Sequence, residues 1–243
     1  MHRFFVPAAD ATGSIVAVPD DEAAHLTRVL RLKAGDEVRV FDGRGHEWNA
    51  EVNAIRKGTA TVRLGAAVEP AREPTIAIAL AMAVLKGDKM DDVVRDAVML
   101  GVTSIIPVIS TRTEIMSKTV ARSGRIARWQ RIAVSSAKQC GRAVVPPIHD
   151  AMELPNVVES RGSEVRLMLV EPASDPGART VRALPRSSDV TLLVGPEGGW
   201  DPQEIRAAAA ADIILATLGR QTLRADAVPI VALTALRALW GDL

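Results

Sequence analysis

Tyrosine is absent from the 243 residues, and phenylalanine and tryptophan together contribute only seven side chains. So few aromatics disfavour an RNA-binding platform that stacks several bases on exposed rings. A single cysteine, Cys140, cannot close an internal disulfide. The four histidines, His2, His25, His46 and His149, are scattered, have no cysteine partners and form no H-E-x-x-H pair, so a catalytic metal is not expected. The longest apolar run, Thr75 to Leu85, ends at Lys86, well short of the ~20 residues that cross a bilayer. With no basic, apolar leader at the N-terminus, the expected compartment is the cytoplasm. The phosphate loop G-x-x-x-x-G-K-[ST] and the dinucleotide fingerprint G-x-G-x-x-G are missing as well, which disfavours a kinase, an ATPase or an ordinary dehydrogenase. No serine stands in G-x-S-x-G, so covalent hydrolysis has no support either.

What is present divides the chain in two. Up to about Arg72, Glu37 to Phe41 and Trp48 to Ile55 roughly alternate, and Asp42-Gly43-Arg44-Gly45 supplies a turn between them. One helix is expected after the acidic start Asp20-Asp21-Glu22. These signals predict a small β-barrel or sheet over residues 1–72. Prolines and charges at Glu69 to Pro74 break both periods, and beyond them the style changes. Apolar runs at Ile76–Ala83, Ile105–Ile109, Val165–Val170, Val190–Val194 and Ile213–Ala216 alternate with helical stretches. That is the pattern of an α/β domain with a parallel sheet, placed at residues 73–243.

The most informative segment is Thr191 to Glu204, in which an apolar strand runs into Gly195-Pro196-Glu197-Gly198-Gly199 and then a helix start. Asp201 is placed to cap that helix, Pro202 suits its first position, and Glu204 completes a capping box. Glycines in such a loop let backbone approach a ligand at the carboxyl end of a parallel strand. A tight turn with no ligand is the bland alternative. Two further strands end in turn residues, at Leu169-Val170-Glu171-Pro172 and at Leu218-Gly219, and the three ends can converge on one cleft.

Charge is the remaining signal. The formal net charge is only +1, yet eight bases face the single acid Glu114 between Arg112 and Arg142. Residues 1–72 show no such bias, with ten bases and ten acids. Arg122, Arg125, Arg128 and Arg131 recur three apart and fall along one side of an expected helix, opposite Ile126, Trp129, Ala133 and Cys140. A solvated helix face is the ordinary explanation of a charge run. The missing acids favour phosphate binding here.

Taken together, the chain resembles the 16S ribosomal RNA uracil-N3 methyltransferases, the RsmE family of the SPOUT superfamily. The resemblance runs over nearly the whole chain: Met1-His2-Arg3-Phe4-Phe5-Val6, His25 to Asp36, Leu85-Lys86-Gly87-Asp88-Lys89-Met90, Leu100-Gly101-Val102, Arg128-Trp129, Gln139 to Pro146, and above all Val194 to Gly199 with Leu218-Gly219 and Leu223-Arg224. The resemblance implies a PUA-like N-terminal β-barrel that grips RNA and a SPOUT α/β domain closed by a deep trefoil knot. It further implies a homodimer, S-adenosyl-L-methionine as cofactor, and 16S rRNA of the small ribosomal subunit as partner. By position, Leu169, Val170, Glu171, Gly195, Pro196, Glu197, Gly199, Leu218, Leu223 and Arg224 match the cofactor loops.

Arg224 and Arg112 are the candidates for stabilising charge on the target base. Arg28, Arg31, Lys33, Arg122, Arg125, Arg128, Lys138 and Arg142 are the candidates for RNA contact. The chain departs from the family at Gln221, Thr222, Asp226, Ala227 and Val228, where L-G-x-R-I-L-R-x-E-T-A is usual, and at Asp96-Ala97-Val98-Met99 and Ser135-Ser136. Two alternatives are a ribose 2′-O-methyltransferase of the same superfamily acting on tRNA or rRNA, and a non-catalytic RNA-binding factor of ribosome assembly.

Overall fold

A computed structural model describes residues 1–160, 162–175 and 177–242. The chain forms two units, one of residues 1–73 with 134–145, the other of residues 74–133 with 146–243.

The first unit is built on a five-stranded sheet of β1 (Arg3–Phe5), β2 (Ile15–Ala17), β3 (Glu37–Phe41), β4 (Glu47–Arg56) and β5 (Thr59–Val68), in the order β1-β3-β4-β5-β2. Only the β1–β3 pairing is parallel. The turn expected at Asp42-Gly43 joins β3 to β4, with Gly43 and Gly45 at positive φ. The buried Asp42 carboxylate accepts from the amides of Arg44 (2.7 Å) and His46 (3.1 Å). Burial pushes that carboxyl up, but its hydrogen bonds to His46 and Arg44 outweigh burial and hold it below the usual range. Register shifts between β4 and β5 bend the pair, as an extra unpaired residue does. Phe4, Leu26, Val38, Val40, Val52, Val62 and Leu64 fill the core. Leu26 comes from a five-residue π-helical turn, His25–Val29, that continues α1 (Asp20–Ala24).

Residues 134–145 join this unit through buried charge. Arg3 pairs with Glu47 and also donates to the carbonyls of Ala137, Lys138, Gly141 and Arg142. Lys138 pairs with Glu22 at 2.7 Å, and Arg142 pairs with Glu73 at 2.6 Å.

The second unit holds a seven-stranded sheet in which every pairing is parallel: β6 (Ala77–Ala83), β7 (Ser104–Ile109), β8 (Met152–Glu153), β9 (Val165–Leu169), β10 (Arg179–Thr180), β11 (Asp189–Val194) and β12 (Ile214–Thr217), in the order β10-β12-β9-β11-β6-β7-β8. The five apolar runs of the sequence are five of these strands, and their side chains are buried because helices cover the sheet. The helices of this unit are α2 (Lys89–Met99), α3 (Ser117–Arg122), the first part of α4 (Arg125–Cys140, whose residues from 134 onward belong to the first unit), α5 (Leu154–Glu159), α6 (Pro202–Ala210) and α7 (Val228–Trp240). β11 lies between β9 and β6 although it follows both in the chain. The carboxyl ends of β9, β11 and β12 therefore sit side by side, at the kind of position where open α/β sheets bind ligands.

The arginine run does not form one helix. Gly124, at φ +70°, separates α3 from α4 and puts Arg122 on a different helix from Arg125, Arg128 and Arg131. Trp129 and Ala133 are buried as expected, while Cys140 is only half-buried. No helix among the described residues is long and apolar enough to cross a membrane.

Candidate active site

Three loops leave the ends of β9, β11 and β12 and wall a cavity of about 210 Å³. All ten residues assigned by position to the cofactor loops line it: Leu169, Val170 and Glu171; Gly195, Pro196, Glu197 and Gly199; Leu218, Leu223 and Arg224. The loop after β11 is fixed at its far end by the capping box. The Asp201 side chain accepts from the Gln203 amide at 2.9 Å, and Glu204 accepts from the Asp201 amide at 2.8 Å.

Trp200, which the sequence did not single out, ties two of the loops together. Its buried indole donates to the Leu169 carbonyl at 2.9 Å. A Cβ at Gly195 would stand 3.1 Å from the indole, so a side chain there would crowd the ring. Gly199 has φ +67°, and a Cβ there would meet Glu171 Oε1 at 3.0 Å. Glycine thus suits both positions, Gly195 through close approach to the ring and Gly199 through its left-handed backbone.

The charges of the cavity are organised in pairs. Glu197 accepts from Lys89 Nζ at 2.8 Å and from the Lys86 amide at 3.2 Å. Burial pushes the Glu197 carboxyl up, yet these bonds prevail and hold it below the usual glutamate range. Arg224 and Asp226 form a two-pronged pair, at 3.1 and 3.0 Å, and that hydrogen bonding lowers the Asp226 carboxyl. Glu171, Glu197 and Asp226 against Lys89 and Arg224 leave the lining one charge negative, with Leu169, Val170, Leu218 and Leu223 as its apolar walls. Lys89 lies in the Lys86 to Met90 motif and Asp226 two residues after Arg224, so both were within reach of the sequence.

Arg112 is not among the residues lining this cavity. Its Nη1 donates to the Gly198 carbonyl at 2.8 Å, and its Nη2 is 3.6 Å from Asp201. It braces the glycine loop and lines a second cavity. Lys138 and Arg142 also depart from expectation: both are engaged by carboxylates inside the first unit, and Arg142 is 6% exposed, so neither presents a free cation to phosphate. Arg128 is shared between Asp91 and Asp88. Arg28, Arg31, Lys33 and Arg122 are exposed, and Arg125 is half-buried. None of these five forms a salt bridge among the described residues. No group of three or more His, Cys, Asp or Glu placed to hold a metal occurs among the described residues.

Residues 71–237 match the RNA methyltransferase domain family, and residues 18–65 match the RNA methyltransferase PUA domain. The chain belongs to the ribosomal RNA small subunit methyltransferase E family. The Synechocystis relative of that name is 32% identical over 98% of this chain and 78% of its own length. The family member from Neisseria gonorrhoeae, solved bound to S-adenosyl methionine, superposes with a TM-score of 0.89 at 31% identity, covering 99% of this chain and 98% of that one. A Legionella pneumophila protein solved with the bound cofactor SAM gives the same score at 28% identity, covering 97% and 96%.

Proposed function

We propose that this protein transfers a methyl group from S-adenosyl-L-methionine to N3 of a uridine in 16S rRNA of the small ribosomal subunit, acting in the cytoplasm as a homodimer. The observation that carries this is the convergence of the three loops on one cavity with Arg224 at its edge. The lining fits the cofactor. Its net negative charge suits a ligand bearing a sulfonium, its apolar side chains suit an adenine ring, and Glu171 and Glu197 are acceptors for hydroxyl and amino groups. The cofactor supplies a methyl group on positively charged sulfur.

The chain's own part is to position the base and stabilise charge. When N3 of uracil gives up its proton, negative charge spreads to the carbonyl oxygens. Arg224, held by Asp226 and 75% exposed at the side chain, is the cation available to meet it. Arg112 acts on the glycine loop instead.

In the same proposal, residues 1–72 form the PUA-like RNA-gripping domain and residues 73–243 the SPOUT domain with its trefoil knot. The knot is carried over from the family resemblance. The exposed Ile230, Val231 and Leu239 of α7 support an apolar dimer face. RNA contact falls to Arg28, Arg31, Lys33, Arg122 and Arg125.

Arg224→Ala tests the assignment. At saturating cofactor its methylation rate should fall about a hundredfold, the usual cost of removing one stabilising donor, with Arg224→Lys retaining part of the rate. A normal rate in Arg224→Ala would remove the role.

A further inference from the structure

A second cavity of about 400 Å³ lies against the first and shares Ser174, Trp200 and Ile205 with it as a common wall. Arg112, from the loop after β7, and Arg206, from the middle of α6, both line it. Arg112 is already oriented by the Gly198 carbonyl and by Asp201. Arg206 is exposed and has no carboxylate partner among the described residues. Leu215 and Ile205 give the cavity an apolar floor. Asp175 also lines it, with one carboxylate oxygen accepting from the Gly177 amide at 2.9 Å and the other without a donor among the described residues.

Two guanidinium groups over an apolar floor, with one acceptor beside them, are complementary to a nucleotide. Arginine forks match phosphate oxygens, the floor takes a ribose or base face, and a carboxylate accepts from a ribose hydroxyl. We propose that this cavity binds a nucleotide of the substrate RNA next to the target, with Arg112 and Arg206 on its phosphate and Asp175 on its 2′-hydroxyl. A strand anchored there is separated from the cofactor cavity by one layer of side chains, which places the neighbouring base at the cofactor cavity. The inference rests on the RNA-methylating function proposed above.

The test is Arg206→Glu, a change on an exposed helix face that does not threaten folding. With small ribosomal subunits as substrate, KM should rise about tenfold, the worth of one lost charge-assisted phosphate contact. The slope of log KM against log salt should become shallower by about one. Cofactor affinity, measured by calorimetry, should not change. Uridine 3′-monophosphate, titrated by NMR, should bind the wild type and not Arg206→Glu, and 2′-deoxyuridine 3′-monophosphate should bind the wild type more weakly than the ribonucleotide. An unchanged KM and salt slope in Arg206→Glu, or equal binding of uridine 3′-monophosphate to both proteins, would overturn the proposal. The nucleotide titration needs no methyl transfer, so it reads this site even if the wild type fails to methylate ribosomal subunits, a result that would count against the proposed function instead.

Discussion

Replacing Trp200 by phenylalanine isolates what joins two of the loops that wall the cavity. The indole is 5% exposed and its N–H reaches the Leu169 carbonyl at 2.9 Å, so the substitution removes a buried hydrogen bond while keeping an aromatic ring. The lost bond should cost about 1–2 kcal/mol. The smaller ring leaves space beside Gly195 that the fixed glycine loop cannot fill, adding about 1 kcal/mol. Urea unfolding should therefore show a loss of about 2–3 kcal/mol, with the m-value unchanged. Because Leu169, Gly195 and Trp200 all line the cavity, loosening them should also weaken cofactor binding severalfold by calorimetry. Trp48 provides the control. It is 6% exposed in the core of the first unit, so Trp48→Phe should cost stability and leave cofactor affinity unchanged. A Trp200→Phe protein with unaltered stability and unaltered cofactor affinity would refute the view that the indole couples the loops.

Arg237 is 1% exposed, donates to the carbonyls of Leu100 and Gly101 at 2.7 and 2.8 Å, and meets Asp242 at 2.5 Å. Arg237→Met should destabilise by about 3–5 kcal/mol in urea unfolding, because it takes the donor from two carbonyls and the cation from Asp242, which keeps only its bonds from Thr75 and Ile76, and adding Asp242→Asn should recover part of the loss. Glu197 has its carboxyl held low, so its stabilising pairing is fully present above the ordinary glutamate range and is lost as pH falls through the depressed value. The stability gap between wild type and Glu197→Gln should thus be constant near neutrality and close in acid. A gap that widened on acidification would contradict the pairing with Lys89.

Five of the seven strands of the second unit were legible because a parallel sheet buried on both faces needs unbroken apolar runs, whereas the two-residue strands β8 and β10 carry no such run. Asp201, Pro202 and Glu204 announced the start of α6 through local chemistry alone. The cofactor loops came from family resemblance, and the geometry then supplied reasons for individual residues, such as the crowding at Gly195. What sequence periodicity could not carry was tertiary. A regular spacing of arginines extended across Gly124, where the backbone turns left-handed. Nothing local revealed that Arg142 and Lys138 would meet Glu73 and Glu22, residues 69 and 116 positions away. Trp200 was not singled out in the sequence, because its role depends on a carbonyl 31 residues earlier.

The central claim is tested most directly by incubating the protein and labelled S-adenosyl-L-methionine with small ribosomal subunits from cells lacking this enzyme, then mapping the label by reverse-transcription stops and mass spectrometry. The account predicts N3-methyluridine at a single site of 16S rRNA. Label on a ribose hydroxyl, or no label from a protein that binds the cofactor, would contradict it.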